Sequence, residues 1–206
     1  NRLLQEARQE GIVQFLVGPR MEDAYLRRLE ADMATRYGLL DVILVPGREE
    51  ILDNTLPRNA QQALVEQMAQ RAAFYLDRIL DNRSVMCINW GRVMRSVVDH
   101  LRPTRMLRTL KVLPFLGMLS SRADAFEANL LAREVAQAYG GDYGWLISPA
   151  IVRDLQQREA VQRLPLVQEV LAALQRATVA ITAIAPADPK SSTIVRRGLL
   201  AEAEVT

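Results

Sequence analysis

Apolar residues follow two alternating patterns along the chain. Short continuous apolar runs that end at Gly, Pro or a polar turn are typical of buried β-strands. They predict strands at residues 12–17, 41–45, 84–88, 107–113, 143–147 and 178–184. Between these runs, apolar residues recur every three or four positions, which places them on one face of a helix. The chain therefore alternates between predicted strands and predicted helices.

The helical stripes lie between the strands. Their members are Leu26, Leu29, Met33 and Tyr37; Leu64, Met68, Ala72, Leu76 and Ile79; Val93, Met94, Val97, Val98 and Leu101; and Leu164, Val167, Leu171 and Leu174. Further helices are predicted at 127–139 and 192–200, and Gly38 stands where the first helix should end. This alternation predicts βαβ units in a single α/β domain, Rossmann-like, with a mostly parallel sheet and helices on both faces.

Composition narrows the class of protein. Half of the residues are apolar and 24% are charged, as in globular proteins with a core and unlike disordered chains. The 26 Lys and Arg residues nearly balance the 24 Asp and Glu residues, so the net charge is only +2. A chain that binds nucleic acid by itself usually has a clear cationic excess. We therefore expect no direct nucleic-acid binding by this part of the protein.

Rare residues exclude other classes. The single cysteine, Cys87, cannot form an internal disulfide, which fits a reducing compartment. One Cys and one His cannot build a structural zinc site. No apolar stretch approaches the ~18 residues of a membrane span, and no leader-like segment opens the chain. Because the chain begins without Met, inside a pattern that predicts a helix, we expect it to be part of a longer protein.

The turn after the third predicted strand is the strongest candidate for a binding site. Ligands of open parallel sheets bind at the carboxyl ends of the strands. Asn89, Trp90 and Gly91 lead from a strand directly into a helix, whose free N–H groups suit an anion. Arg92 and Arg95 would add positive charge. An ordinary strand-to-helix turn is the alternative interpretation, and Trp90 could either stack on a sugar ring or plug the end of the sheet.

Two other loops at strand ends offer further candidates. Gly117 could allow a ligand to approach the backbone, or it could serve an ordinary turn. Asp124 and Glu127 fit a capping box, and Asn129 could hydrogen-bond a hydroxylated ligand. Lys190 could supply a point charge for a phosphate, although a solvated loop lysine has the same appearance.

Known catalytic and cofactor motifs are missing from the sequence. A phosphate-binding Walker loop needs glycines where Ile184 and Pro189 stand, and no GxGxxG segment occurs. No Gly-x-Ser-x-Gly elbow is present either. His100 falls late in its predicted helix, away from the strand ends, and Cys87 suits a small core position. The sequence therefore predicts no cofactor, no metal site and no catalytic group.

Several segments occur together in an order that resembles a known family. They are residues 7–13, 37–39, 41–46, 88–92, 112–117, 124–129, 149–150, 191–192 and 197–200, with Leu29. This order is similar to that of SorC-type (SorC/DeoR) bacterial transcriptional regulators, in which the first segment marks the junction with the DNA-binding portion. The resemblance spans nearly the whole chain.

The resemblance implies an effector-binding domain with a fold related to sugar-phosphate isomerases and deaminases. Such domains sense a sugar or sugar phosphate and assemble as homo-oligomers, dimers or tetramers, in the cytoplasm. They meet operator DNA only through an attached helix-turn-helix. Residues 1–206 would then be the effector-binding domain without its C-terminal part and without the DNA-binding domain. The effector-binding residues implied are Trp90, Gly91, Arg92, Val93, Gly117, Asp124, Glu127, Asn129 and Lys190.

An enzyme on the same fold is the alternative function. A sugar-phosphate isomerase or deaminase needs an acid and a base beside the ligand, and Asp124 and Glu127 are the plausible carboxylates.

The chain also departs from the family at several positions. Val93 stands where many members have Thr, Met118 follows Gly117 in place of a paired glycine, and 183–185 lacks two glycines. The added side chains would narrow the site, which favours an unusual or unphosphorylated effector.

Overall fold

The computed structural model describes residues 20–47, 58–119, 125–185, 188 and 192–204. The predicted strand at 12–17 lies outside these residues. The chain divides into two compact units, Asn1–Arg48 and Glu49–Thr206.

The first unit contains helix α1, Arg20–Tyr37, as the apolar stripe predicted. Gly38 ends it in the left-handed conformation, with φ of 64°. The following residue, Leu39, donates its N–H to the carbonyl of Ala34 at 2.9 Å, which closes the last turn. The helix therefore ends where the glycine predicted.

The prediction of a strand at residues 41–45 is wrong, because this segment is irregular. The N–H of Leu44 donates to the carboxylate of Glu30 at 2.8 Å, and not to the backbone of a neighbouring strand. An apolar run can indicate burial, but a strand also needs a partner strand to accept its hydrogen bonds. The described residues provide no such partner here.

The second unit alternates helices and strands through its described residues. In chain order the elements are α2 Arg58–Ile79, β1 Val85–Ile88, α3 Arg92–Asp99, β2 Lys111–Pro114, α4 Ala128–Tyr139, β3 Asp142–Tyr143, α5 Leu155–Gln162, α6 Pro165–Leu174, β4 Val179–Ile181 and α7 Thr193–Arg196. A 3₁₀ turn, Glu202–Glu204, follows α7.

The strands form one parallel sheet in the order β3-β2-β1-β4, which confirms the predicted α/β class. Alternate residues point to opposite faces of the sheet. Met86, Ile88 and Val112 pack against α2, α3 and α4 on one face. Cys87 and Leu113 pack against α6 on the other. Helices thus cover both faces of the central strands, as a parallel sheet requires.

Helix α2 buries a face that only partly matches the one its apolar spacing predicted, with Leu76 common to both. Its fully buried side chains are Ala69, Ala73 and Leu76, whereas the predicted Met68 and Ile79 are exposed. Both stripes have helical spacing, so the pattern alone cannot choose between them. Small alanines allow α2 to pack closely on the sheet-covering layer, and this packing decides which face is buried.

Several predicted elements are shorter than their apolar runs. In the run at 107–113, only the end belongs to β2, because the N–H of Leu107 donates to the carbonyl of Tyr139 at 2.7 Å and Leu110 closes a turn. Helix α5 was not predicted, since its sequence has no apolar stripe. Its start had a signal nevertheless: Asp154 caps the helix by accepting a hydrogen bond from the N–H of Gln157 at 2.7 Å.

Gly117 lies where the loop after β2 crosses the loop after β3. The N–H of Met118 donates to the carbonyl of Ser148 at 2.7 Å, and Ala150 returns a bond to Met118 at 2.9 Å. A side chain at 117 would place its Cβ 2.9 Å from the carbonyl oxygen of Pro149 and closer still to that of Ser148. The glycine therefore accommodates neighbouring backbone.

We expect Gly117→Ala to lower the free energy of unfolding by about 1–3 kcal/mol, because two backbone segments must separate to admit the methyl group. Urea denaturation measures this change. Gln156→Ala is the control, since this side chain is exposed on α5 and its loss should change stability by less than about 0.5 kcal/mol. Equal stability of the two variants would contradict this role of Gly117.

Candidate functional site

The order of the strands creates a cleft between β1 and β4. The chain proceeds from β1 outward to β2 and β3, and then returns to place β4 on the other side of β1. At such a switch point the loops leave neighbouring strands in opposite directions and open a crevice at their carboxyl ends. A cleft of about 560 Å³ lies there, lined by residues 89–93, 183–185, 192–194, 196 and 197.

Gly91 gives the cleft an open helix N-terminus. It is the N-cap residue of α3, with φ of 117° and ψ of 170°, a conformation that favours glycine. Its own N–H donates to the carbonyl of Phe126 at 3.0 Å. The N–H groups of Arg92 and Val93 have no acceptor within the helix, and Gly91 has no side chain that could cap them. An anion in the cleft could accept these hydrogen bonds.

Asn89 holds the two loops of the cleft together. Its N–H donates to the carbonyl of Ile181 at 3.0 Å, and its side-chain amide donates to the hydroxyl of Thr182 at 2.8 Å. The N–H of Trp90 in turn donates to Oδ1 of Asn89 at 2.8 Å. Asn89 therefore positions Trp90 beside the end of β4. Its place directly after a buried strand was the signal in the sequence.

Arginines supply the charge of the cleft. Arg92, Arg196 and Arg197 line it, and the lining residues in the described part of the chain include no Asp or Glu. The guanidinium carbon of Arg197 lies 5.2 Å from the centroid of the Trp90 ring, a cation–π contact across the cleft. The described lining of the cleft is thus cationic, although the chain is nearly neutral.

Arg95 does not contribute positive charge to the cleft, contrary to the expectation. Its guanidinium forms salt bridges with Asp99 and Glu134, each at 2.7 Å, and its side chain is only 16% exposed. Burial opposes the charge, but the hydrogen bonds to Glu134 and Asp99 outweigh burial and raise the pKa of Arg95. Arg95 therefore connects α3 to α4, with its charge compensated by the two carboxylates.

Asn129 is engaged within the fold. Its side-chain amide donates to the carbonyl of Leu146 at 3.3 Å, and the N–H of Leu146 donates to Oδ1 of Asn129 at 2.9 Å. Both groups are buried, so the amide replaces a strand partner for Leu146 where the chain leaves β3. Asn129 does not line the cleft.

The expected capping box at α4 is wrong. Glu127 itself occupies the N-cap position, directly before the first helical residue, and not the third helical position that the predicted box requires. Glu127 is buried, and neither it nor Gly117 lines the cleft. Asp124 and Lys190 lie outside the described residues.

Of the predicted site residues, the structure brings Trp90, Gly91, Arg92 and Val93 together in the cleft. The sequence interpretation missed Ser192, Arg196 and Arg197, which line its opposite side. The consecutive arginines after the last strand indicated a possible anion site. Because they are far from Trp90 in the sequence, their position opposite Trp90 could not be predicted. Only the return of β4 to β1 places them opposite each other.

The two residues with reactive side chains lie elsewhere. Cys87 is buried in β1, and burial raises the pKa of its thiol. His100 follows α3, with Nδ1 2.8 Å from the carbonyl oxygen of Ser96. Among the described residues, no three His, Cys, Asp or Glu side chains group closely enough to hold a metal ion.

No helix in the described ranges is both long and apolar enough to cross a membrane.

A second cavity, of about 480 Å³, lies beside the crossing of the loops after β2 and β3. Its lining is mainly apolar and includes Met118, Ile147 and Ile151, with Arg153 as its charged side chain. It is away from the switch point and has no open helix N-terminus. The cleft between β1 and β4 is therefore the candidate functional site.

Comparisons with known proteins find similar sequences. A family model described as "Putative sugar-binding domain" matches residues 24–206. The sorbitol operon regulator of Klebsiella pneumoniae is 24% identical over 160 residues, which cover 75% of this chain and 47% of that protein. The chain thus spans about half the length of this curated relative.

Solved structures share the fold. The full-length sorbitol operon regulator SorC from Klebsiella pneumoniae has a TM-score of 0.67 at 21% identity, over 87% of this chain and 55% of that chain. A transcriptional regulator from Streptococcus pneumoniae TIGR4 has a TM-score of 0.74 at 16% identity, over 88% and 66%. At these identities the likeness establishes the fold alone.

We expect Asn129→Ala to lower the free energy of unfolding by about 1–3 kcal/mol, because two buried backbone groups of Leu146 lose their partners. Gln137→Ala is the matched control, an exposed amide on the same helix, and should have little effect. Thermal and urea denaturation measure both. If Asn129→Ala were as stable as the control, the two hydrogen bonds between Asn129 and the backbone of Leu146 would not stabilise the fold.

Proposed function

Because the chain belongs to the sugar-binding-domain family of SorC/DeoR-type bacterial transcriptional regulators, we propose that its cleft senses a sugar that carries an anionic group. The observation that supports this is the juxtaposition of an open helix N-terminus with Arg92, Arg196 and Arg197, without a carboxylate among the described lining residues. The anionic group is a phosphate or a carboxylate, since both accept hydrogen bonds from N–H groups and guanidinium.

The anionic group and the sugar of the ligand contact different residues of the cleft. The anionic group lies at the start of α3, where the N–H groups of Arg92 and Val93 and the helix dipole meet it. The sugar extends toward Trp90 and the hydroxyl of Ser192. Val93 and residues 183–185 place apolar side chains along the cleft, which limits the width available to the sugar.

We propose sensing, and not catalysis, as the role of the cleft. Isomerisation or deamination of a sugar phosphate needs a general acid and base within reach of the ligand. The described residues that line the cleft include no Asp, Glu or His. The matched relatives are named as transcriptional regulators.

In the whole protein, ligand binding would control an attached helix-turn-helix domain. The net charge of +2 makes this chain a poor DNA ligand, so operator contacts would come from that other domain. The ligand would act by favouring one arrangement of a homo-oligomer, a dimer or tetramer, over another. It can do so only if it binds the two arrangements with different affinity.

We expect glucose 6-phosphate and glucuronate to raise the melting temperature of the chain more than neutral glucose does, because arginines and no described carboxylate line the cleft. Arg92→Ala should weaken binding of the anionic sugars by about tenfold or more, through loss of a charge-assisted hydrogen bond. Calorimetry gives the affinities.

Arg83→Ala is the matched control, because Arg83 is exposed in the turn before β1, at the opposite end of the sheet. It should bind as the unmodified chain does. Unchanged affinity in Arg92→Ala would show that the anion site is misplaced. Equal affinity for glucose and both anionic sugars would disprove the anionic ligand.

A further inference from the structure

The ring of Trp90 already has a partner in the cleft. The guanidinium of Arg197 lies over it, with 5.2 Å between the guanidinium carbon and the ring centroid. Arg197 follows α7, whereas Trp90 follows β1, so the contact joins the two sides of the cleft. A sugar ring that stacked on this face of Trp90 would have to replace the guanidinium.

An anion at the start of α3 would compete with the Trp90 ring for Arg197. Arg197 is exposed, and a cation–π contact at an exposed site is weak. Guanidinium binds phosphate or carboxylate more strongly, through short, charge-assisted and often bidentate hydrogen bonds. An anionic group held at the start of α3 would therefore attract Arg197 away from the ring.

Ser192 supports a ligand on the same side of the cleft. It is only 5% exposed and lines the cleft, yet its hydroxyl forms no capping bond to α7, although Ser192 is the N-cap residue. A serine in this position normally caps the helix. Because the Ser192 hydroxyl does not cap the helix and lines the cleft, it can hydrogen-bond a ligand there.

We propose that Arg197 selects for the anionic group, and that the ligand draws Arg197 from Trp90 and thereby frees the ring for the sugar. This rests on the proposed binding of an anionic sugar. A neutral sugar must compete with Arg197 for the ring, whereas an anionic sugar removes its own competitor. Because Arg197 directly follows α7, its movement also couples ligand binding in the cleft to the segment around α7.

Tryptophan fluorescence can report the move directly. The chain has two tryptophans, so Trp145→Phe leaves Trp90 as the sole one. In this background we expect inorganic phosphate to increase the quenching of Trp90 by acrylamide, because departure of Arg197 uncovers the ring. Arg197→Gln should show the increased quenching before phosphate is added, should no longer respond to it, and should bind phosphate about tenfold more weakly.

Two further variants sharpen the experiment. Arg197→Lys keeps the charge without the planar group, so it should keep part of the phosphate affinity while leaving Trp90 more open to acrylamide. Arg83→Gln is the control and should behave as the background does, in melting temperature and in quenching.

The outcomes separate the proposed move from the proposed function. If Arg197→Gln were quenched like the background without phosphate, Arg197 would not cover Trp90 and the inference would fall. If calorimetry detected phosphate binding but quenching did not change, the displacement would be wrong while the anion site stood. If none of phosphate, glucose 6-phosphate and glucuronate bound, the proposed function would fail, and the displacement with it.

Discussion

Parallel pairing of β1 with strands on both sides is the constraint on which the structure depends. Cys87 pairs with Leu113 of β2 on one side and with Ala180 of β4 on the other. A parallel sheet needs crossover connections and cover on both faces, so helices must lie between the strands. Because the chain leaves β1 in one direction and returns on its other side, the loops after β1 and β4 must diverge. The cleft is a consequence of this topology.

The same constraint determines which charges matter. Arg95 faces α4 and is compensated by carboxylates, while Arg92, three residues earlier, faces the cleft. Arg197 comes from a distant segment and adds to the same cationic surface. A net charge near zero thus conceals a locally positive site. The distribution of charge, and not its sum, determines which ligand the cleft can attract.

Some residues that resemble ligand contacts serve the fold. Loops at the ends of a parallel sheet contain backbone groups that have left the ladder and still need partners. Asn129 satisfies those of Leu146, and Gly117 allows the backbone of Ser148 to approach. Polar and glycine residues therefore gather at the strand ends for structural reasons as well as functional ones, and their type alone does not separate the two uses.

Local patterns in the sequence determined the alternation of strands and helices, the family, and the turn from Asn89 to Arg92. These depend on residues within a few positions of each other, and an apolar run or stripe records them. The same patterns failed for the segment at 41–45 and for part of the buried face of α2, because contacts with other segments of the chain determine the structure there. Only the tertiary structure placed Arg197 on Trp90, because that contact depends on how β4 returns to β1 and not on any local preference.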